Sequence, residues 1–325
     1  MNAIKSFTQM VMPLALLGFA LTVFSHIFAG PLSVGIITTD QIYWAMSFIG
    51  FFLVILLLFF LIDSARNAQR FVDQRSRQVD IAALWRSLRL GRAMLTGSAV
   101  IALVVFSING NANLIEIYRT HTSVWHDPVL WNIEAPLFHA IASSNFLPLN
   151  FWETIYHLMW IYILIVMAAL IKNDRTESYM VFATAIVLAF YCTTFIAMIF
   201  PVAGPEYHRP ELFGYLNGSM TKALQDFLGN YQAGKVAQNG LFYGTMAMPS
   251  LHVALTALAT WFVACHWRPM LWCAIPWAVL IWCSTVVLAW HYAFDGVAAL
   301  GMTFVCIVCA KTIIGLSQKL TGTRR

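Results

Sequence analysis

The stretch "GTMAMPSLHVALTAL", from Gly244 to Leu258, begins an apolar run long enough to cross a membrane. Its first turn nevertheless contains Pro249, Ser250 and His252. Ionisable side chains inside membrane spans are energetically costly and usually mark functional positions. The stretch therefore predicts a membrane helix whose first turn takes part in binding or chemistry.

The composition of the whole chain agrees with a membrane location. The 325 residues are 60% hydrophobic and only 10% charged, whereas soluble domains carry about 25% charged residues. The chain is thus predicted to be an all-α polytopic membrane protein with about eight transmembrane helices. The segments long and apolar enough to span a bilayer are 10–29, 43–62, 93–109, 151–171, 178–201, 249–267, 270–290 and 292–312.

The distribution of basic residues predicts the orientation of these spans. With the N-terminus in the cytoplasm, 15 of the 19 Lys and Arg residues lie in cytoplasmic segments. Because Lys and Arg concentrate in cytoplasmic loops, both termini are predicted to be cytoplasmic, and the net charge of +5 reflects topology rather than nucleic-acid binding. The first span is predicted to be a retained helix, since its apolar stretch is longer than that of a signal peptide. The four basic residues on the other side are Arg119, Arg209, Lys222 and Lys235.

The chain is expected to divide into two parts. Residues 1–92 contain the first two spans and a basic cytoplasmic segment, 64–92, whose apolar residues recur at helical spacing. That pattern indicates a helix lying on anionic lipid, and a solvated run of charges is the alternative. Residues 93–325 hold the other six spans and are expected to form the catalytic membrane domain.

Under this topology, ionisable residues at membrane depth collect at the non-cytoplasmic ends of neighbouring spans. His252 lies one turn inside the sixth span. His291 ends the seventh in "LAWHYAFDG", and Asp295 follows four residues later. Residues four apart share one helical face if the helix has begun at His291, and the carboxylate is then expected to hold one imidazole nitrogen of His291 as N–H. The lone pair of the other nitrogen is then free for attack, as in a catalytic triad.

The start of the sixth span supplies a seat for an anion. Pro249 suits the first helical position, because its missing N–H costs nothing there. Ser250 and the free N–H groups of Leu251 and His252 can bind phosphate oxygens. A nucleophilic histidine, a second histidine as acid and an anion seat together indicate phosphoryl transfer through a phosphohistidine.

A zinc site is the alternative chemistry for the same residues. It would use His252, His291 and Asp295 with His157 or His208. It leaves the Pro-Ser at the helix start unexplained, so neither a metal nor a cofactor is expected.

Two further groups lie on the same face. Glu153 and His157, four residues apart, are predicted either to hydrogen-bond each other or to line the site. The 123–140 segment places tryptophans among acids and is predicted to be a lid in the outer interface, with Asp127 not catalytic. Such a lid would border a lateral entrance for lipid.

"MPSLHVA" followed by "HYAFDG" resembles the type 2 phosphatidic acid phosphatase superfamily of membrane enzymes, over roughly residues 93–312. The resemblance implies a six-helix bundle with its site on the outer face. It implies that His291 is the nucleophile, that Asp295 orients it and that His252 protonates the leaving group. Ser250 would bind a phosphate oxygen.

The chain departs from the common phosphatase pattern at the phosphate-binding cations. Arg209 is retained in "YHRP" and is predicted to clamp phosphate, but the lysine position is Val202 and the second arginine position is Thr285. The glycine of the P-S-G-H motif is replaced by Leu251. In lacking two of three cations, the chain is similar to the branch that includes inositol phosphorylceramide synthase and sphingomyelin synthase.

The missing cations favour a phosphodiester substrate, which carries one charge, over a phosphomonoester, which is close to a dianion near neutral pH. The expected function is transfer of a phosphoryl headgroup from a phospholipid to a lipid alcohol. A lipid-phosphate phosphatase is the alternative, because Lys222 or Lys235 could replace a lost cation. A non-catalytic transporter is the third possibility, although no paired repeat supports it. The expected partners are membrane lipids as substrates, and the sequence leaves the lipids and the oligomeric state open.

Overall fold

A computed structural model describes residues 2–30, 39–67, 90–144, 148–233 and 245–320. These residues form α-helices joined by loops and short 3₁₀ turns, and no β-strand occurs among them. The α-helices are α1 (Asn2–Ala29), α2 (Thr39–Asn67), α3 (Leu90–Asn109), α4 (Asn111–His121), α5 (Asp127–Ser143), α6 (Leu149–Lys172), α7 (Thr176–Ile199), α8 (Pro205–His208), α9 (Met220–Gln232), α10 (Leu251–His266), α11 (Leu271–Val287) and α12 (Ala293–Leu320).

Seven helical stretches in the described part of the chain are long and apolar enough to cross a membrane. They are formed by α1, α2, α3 continued by α4, α6, α7, α11 with the 3₁₀ turn before it, and α12. The remaining predicted span, the sixth at 249–267, corresponds to α10, an apolar helix of only 16 residues. The prediction of an all-helical polytopic membrane protein is confirmed.

Helix α7 lies at the centre of the bundle, in contact with α12, α10 and α3. Its apolar window is 67% buried, compared with 28% and 22% for the windows of α1 and α2, which therefore lie at the periphery. Two buried tyrosines of α7 donate to backbone carbonyls of α3, Tyr179 to Gly97 at 3.0 Å and Tyr191 to Ser107 at 2.9 Å. Their hydroxyl groups are thus satisfied inside an apolar core.

A second, smaller core lies at one end of the bundle, between α5 and the loops around residues 213 and 290. The ring of Phe138 meets the edges of Phe213 and Tyr292, each at a centroid distance of 5.7 Å. Trp131 stacks on Phe138, also at 5.7 Å. This aromatic cluster fixes α5 against the turn that carries His291.

Some predictions remain open. Most of the proposed interfacial segment 64–92, namely residues 68–89, lies outside the described residues, as does Lys235. Helices α1 and α2 pack on α3 and also contact α7 and α6, respectively, so the division into 1–92 and 93–325 stays a prediction. The orientation in the membrane also stays a prediction.

Candidate active site

Ser250 is the N-cap of α10, and the helix begins at Leu251. The side chain of Ser250 accepts from the N–H of Val253 at 3.4 Å, and its own N–H donates to the carbonyl of Asp295 at 3.1 Å. The prediction that Pro249 takes the first helical position is wrong. A serine oxygen can satisfy one of the unpaired N–H groups of the first turn, which proline cannot do, so the helix begins two residues later. As first-turn donors, the N–H groups of Leu251 and His252 have no intrahelical acceptor.

His291 lies in the turn between α11 and α12, before the helix that carries Asp295. The N–H groups of Trp290 and His291 both donate to the carbonyl of Thr285, at 3.0 and 3.2 Å, and Ala289 has a φ of +54°. Because α12 begins at Ala293, the helix has not begun at His291, and the condition for a shared helical face with Asp295 is not met. The turn itself brings the two side chains together.

The Nδ1 atom of His291 lies 2.6 Å from the carbonyl oxygen of Ala247 and 3.6 Å from Oδ2 of Asp295. The carbonyl only accepts hydrogen bonds, so Nδ1 carries the proton and the Nε2 lone pair is free. The carboxylate of Asp295 is fully buried and accepts the N–H of Tyr292 at 2.8 Å. The nearest partner of His291 is thus a backbone carbonyl, which sequence reasoning missed.

His252 lies beside His291, with their ring centroids 6.2 Å apart. One phosphoryl group can bridge this separation. Tyr156 of α6 stacks on the His252 ring at a centroid distance of 4.1 Å, and its hydroxyl lies 3.4 Å from Nδ1 of His252. Tyr156 therefore limits the orientation of that imidazole, a role that its sequence context did not indicate.

The acids of α5 hold the loops of the site. Asp127 is buried and accepts the N–H groups of Ala203 and Gly204, each at 2.9 Å, and the hydroxyl of Tyr292 at 3.3 Å. Glu134, also buried, binds the start of α12. This face of α5 thus packs on the loops that carry the candidate site residues, and its role as a lid stays a prediction. The opposite face of α5 exposes apolar side chains, which agrees with a position in the membrane interface. That position stays a prediction.

His208 ends the short helix α8, and Arg209 follows it. The guanidinium of Arg209 is half exposed and lies 3.8 Å from the carboxylate of Glu211. The ring of His208 meets the edge of Trp131 at 5.8 Å. The structure thus pairs Arg209 with an acid of its own loop, and its predicted phosphate contact stays a prediction.

Lys222 does not present a free cation. Its Nζ lies 3.1 Å from the buried carboxylate of Glu206 and also hydrogen-bonds Asp226. The hydrogen bond to Asp226 and the charge of Glu206 raise the pKa of Lys222. The ammonium group is therefore neutralised locally rather than supplied to a phosphate.

Glu153 and His157 do not pair through their side chains. The carboxylate of Glu153 accepts the N–H of Thr221 in the first turn of α9, at 2.8 Å. The ring of His157 lies 2.7 Å from the backbone carbonyl of Glu153 and is exposed. The predicted hydrogen bond between the two residues is therefore present, but it joins the ring of His157 to the backbone carbonyl of Glu153. The carboxylate of Glu153 is drawn instead to an unpaired N–H at the start of α9.

The two positions without a family cation are both fully buried. The carbonyl of Val202 accepts the N–H of Ala247 at 2.8 Å, and the hydroxyl of Thr285 donates to the carbonyl of Trp282 at 2.7 Å. Val202 thus holds Ala247, whose carbonyl contacts His291, and the backbone carbonyl of Thr285 holds the turn of His291.

A cavity of about 390 Å³ lies beside the site, lined by residues that include Arg119, Asp127, Tyr207 and His208. Neither His252 nor His291 lines it. Within the described ranges, no group of three or more His, Cys, Asp or Glu residues is placed to hold a metal ion.

Comparison with known proteins gives a family. No curated protein and no solved structure matches the chain. A family model described as the PAP2 superfamily matches residues 124–309, which is more than half of the chain and runs from just before α5 into α12. The matched range contains His252, His291 and Asp295. The chain therefore belongs to the PAP2 superfamily, whose members are phosphatases and phosphotransferases.

Proposed function

We propose that the protein transfers a phosphoryl headgroup from a phospholipid donor to a lipid alcohol, through a phosphohistidine on His291. The observation that carries the proposal is the arrangement of the two imidazoles. His291 keeps its proton on Nδ1 through Ala247 and presents a free Nε2, while His252 lies 6.2 Å away. Such a pair suits a nucleophile and a general acid working on one phosphorus atom.

In the first half-reaction, the Nε2 lone pair of His291 attacks phosphorus and the bond from phosphorus to the diglyceride oxygen breaks. His252 donates a proton to that leaving oxygen. The imidazole now carries the phosphoryl headgroup and a positive charge, which the carbonyl of Ala247 and the carboxylate of Asp295 stabilise through Nδ1–H. The N–H groups of Leu251 and His252, with Ser250, form the seat for the phosphate oxygens.

In the second half-reaction, the hydroxyl of the acceptor lipid gives its proton to His252 and its oxygen attacks phosphorus. The bond between phosphorus and Nε2 breaks, and His291 returns to its starting state. His252 thus acts first as acid and then as base, and the proton it donated is replaced.

The charges around His291 support a phosphodiester over a phosphomonoester. Three buried carboxylates, those of Asp127, Glu134 and Asp295, surround the turn of His291. The nearby cation Lys222 is already paired with two acids. A dianion is repelled more strongly by these acids than a monoanion, and it gains little from cations that are already neutralised.

The same charge pattern supports placement in the branch with inositol phosphorylceramide synthase and sphingomyelin synthase. Val202 and Thr285 occupy the two cation positions of the common phosphatase form. The lipid substrates would be reached from the non-cytoplasmic side, since 15 of the 19 basic residues lie in the segments assigned to the cytoplasm.

A lipid-phosphate phosphatase is the second candidate. It is favoured by Arg209, which is retained from the phosphatase pattern and whose guanidinium is half exposed, so that it can turn towards a bound phosphate. In this reaction, water would take the place of the acceptor alcohol.

The test compares the two substrate classes on purified protein in lipid vesicles. One arm supplies a phosphodiester phospholipid with a fluorescent lipid alcohol, and the other supplies phosphatidate. We expect the headgroup to move to the fluorescent alcohol, with slow release of inorganic phosphate from phosphatidate. Fast, metal-independent phosphate release without any transfer would show that the phosphatase reading is correct.

Matched histidine variants complete the test. His291→Ala and His252→Ala should both lose transfer, because nucleophile and acid act as a unit. The control is His266→Ala, at the opposite end of α10, where the imidazole lies 2.9 Å from the hydroxyl of Ser178. Transfer at the wild-type rate in His291→Ala would end the phosphohistidine proposal.

A further inference from the structure

The start of α12 lacks a cap of its own. Tyr292 precedes the helix, and a tyrosine side chain cannot bind the N–H groups of the following turn. Asp295 reaches back to the N–H of Tyr292 at 2.8 Å, which is half of a capping box. The N–H groups of Ala293 and Phe294 still need acceptors from elsewhere.

Glu134 of α5 supplies both acceptors. Its Oε2 lies 2.6 Å from the N–H nitrogen of Ala293, and its Oε1 lies 2.8 Å from that of Phe294. The side chain is buried, so these are charge-assisted bonds shielded from water. A carboxylate at this position also matches the positive end of the helix dipole.

We propose that Glu134 is a positioning residue for His291, acting through the first two N–H groups of α12; this inference rests on the proposed function. His291 lies two residues before Ala293. The carbonyl of Thr285 holds the turn on its α11 side, and Glu134 holds it on its α12 side. Both ends must stay fixed for Nε2 of His291 to keep its distance from the phosphorus atom.

The bidentate geometry predicts an order among variants. Glu134→Gln keeps one acceptor oxygen but turns an NH₂ group towards the second N–H. Glu134→Ala removes the carboxylate acceptor of both N–H groups. The damage to the turn should therefore rise from wild type to Glu134→Gln to Glu134→Ala.

The experiment uses the full chain in lipid nanodiscs and measures two quantities. The first is hydrogen–deuterium exchange at the amides of residues 292–294. The second is kcat and KM for the phospholipid that the wild type turns over. For Glu134→Ala, we expect faster exchange at these amides and a kcat lowered by about 100-fold, as for a misplaced reacting group. KM should change by less than about threefold, and Glu134→Gln should lie between.

The control is the pair Glu177→Gln and Glu177→Ala. Glu177 is an exposed glutamate in the first turn of α7, so it tests loss of a carboxylate at a helix start away from His291. Exchange at residues 292–294 and kcat should both equal those of the wild type. If Glu134→Ala does not fold, Glu134→Gln carries the same test.

Two results would overturn the inference. One is unchanged exchange at residues 292–294 in folded Glu134→Ala. The other is a kcat within about twofold of wild type per folded molecule. If the wild type turns over no phosphoester, the proposed function fails separately, and the rate at which diethyl pyrocarbonate modifies His291 replaces kcat. A faster modification in Glu134→Ala then supports the inference, because a loosened turn exposes the buried imidazole, and an unchanged rate overturns it.

Discussion

The Nδ1 atom of His291 lies 2.6 Å from the carbonyl oxygen of Ala247. This single contact assigns the proton of the neutral imidazole to Nδ1, because a carbonyl oxygen can only accept. In a Ser-His-Asp triad the same task falls to a carboxylate, and replacing it with an amide leaves the wrong tautomer. Here the backbone keeps the tautomer correct, so the carboxylate of Asp295 contributes mainly its charge.

We therefore predict that Asp295→Asn lowers kcat by about 10- to 100-fold, well short of the roughly 10⁴-fold loss seen when a triad carboxylate alone sets the tautomer. His291→Ala should have no measurable transfer. The measurement is single-turnover transfer with labelled phospholipid. Equal loss of activity in Asp295→Asn and His291→Ala would show that Ala247 does not hold the tautomer.

We predict that the ring of Tyr156 contributes more to kcat than its hydroxyl does. The ring stacks on His252 at 4.1 Å, whereas the hydroxyl lies 3.4 Å from Nδ1, near the outer limit of a hydrogen bond. Tyr156→Phe should lower kcat by less than about tenfold, and Tyr156→Ala by about 100-fold, because the imidazole is then free to turn. The measurement is kcat and KM of both variants. Equal kcat values for Tyr156→Phe and Tyr156→Ala would contradict this ranking.

Gly204 should not tolerate a side chain. Its φ is +118°, and a Cβ atom would lie 2.8 Å from the carbonyl oxygen of Trp290, beside His291. Gly204→Ala should cost about 1–3 kcal/mol of stability from backbone strain and also reduce kcat by displacing the turn. The control is Gly218→Ala, which has a φ of +81° but no atom within 4 Å of a Cβ.

Thermal unfolding and kcat of the two glycine variants separate strain from displacement. Both should melt at lower temperature than wild type, and only Gly204→Ala should lose activity per folded molecule. A normal kcat in folded Gly204→Ala would mean that the approach of this loop to Trp290 has no catalytic role.

The ion pair of Lys222 and Glu206 predicts a dependence of stability on pH. The hydrogen bond to Asp226 and the charge of Glu206 raise the pKa of Lys222 in the folded protein. A raised folded pKa means that the pair stabilises the fold below the unfolded lysine pKa of about 10.4. This stabilisation is lost as pH rises through the higher folded value. The melting temperature of wild type should thus exceed that of Lys222→Met up to about pH 10 and converge with it at higher pH.

At neutral pH, Lys222→Met leaves the buried carboxylate of Glu206 without its cation, which should cost about 1–3 kcal/mol. Adding Glu206→Gln to this variant should restore part of the loss, because the unpaired charge is removed. Melting temperatures of the two single variants and the double variant give the coupling energy. Additive effects would show that the two side chains do not interact in solution.

The spans were predictable because hydropathy and length are properties of consecutive residues. His252, His291 and Asp295 were found because they fall in two short motifs at the ends of neighbouring helices. The geometry that joins them was not predictable. The Ala247 carbonyl has no side-chain signature, and the contacts of Glu134 with α12 join residues 159 and 160 positions apart.

Spacing along a helix predicted which residues meet but not which of their atoms do. Glu153 and His157 hydrogen-bond as their separation favours, but through the backbone carbonyl of Glu153, whereas its carboxylate accepts the N–H of Thr221. In the same way, Ser250 rather than Pro249 determines the first residue of α10.

The short length of α10, 16 residues, bears on how easily water reaches the candidate site. Its lower end is level with the start of α7, since His266 lies 2.9 Å from Ser178, but α7 continues for 24 residues. At about 1.5 Å per residue, the upper end of α10 stops roughly 10 Å below that of α7. The imidazole of His252, in the first turn of α10, is recessed by about the same distance. Under the proposed function, such a recess would limit the access of bulk water, and we therefore expect transfer to a lipid alcohol to outpace hydrolysis of the covalent intermediate.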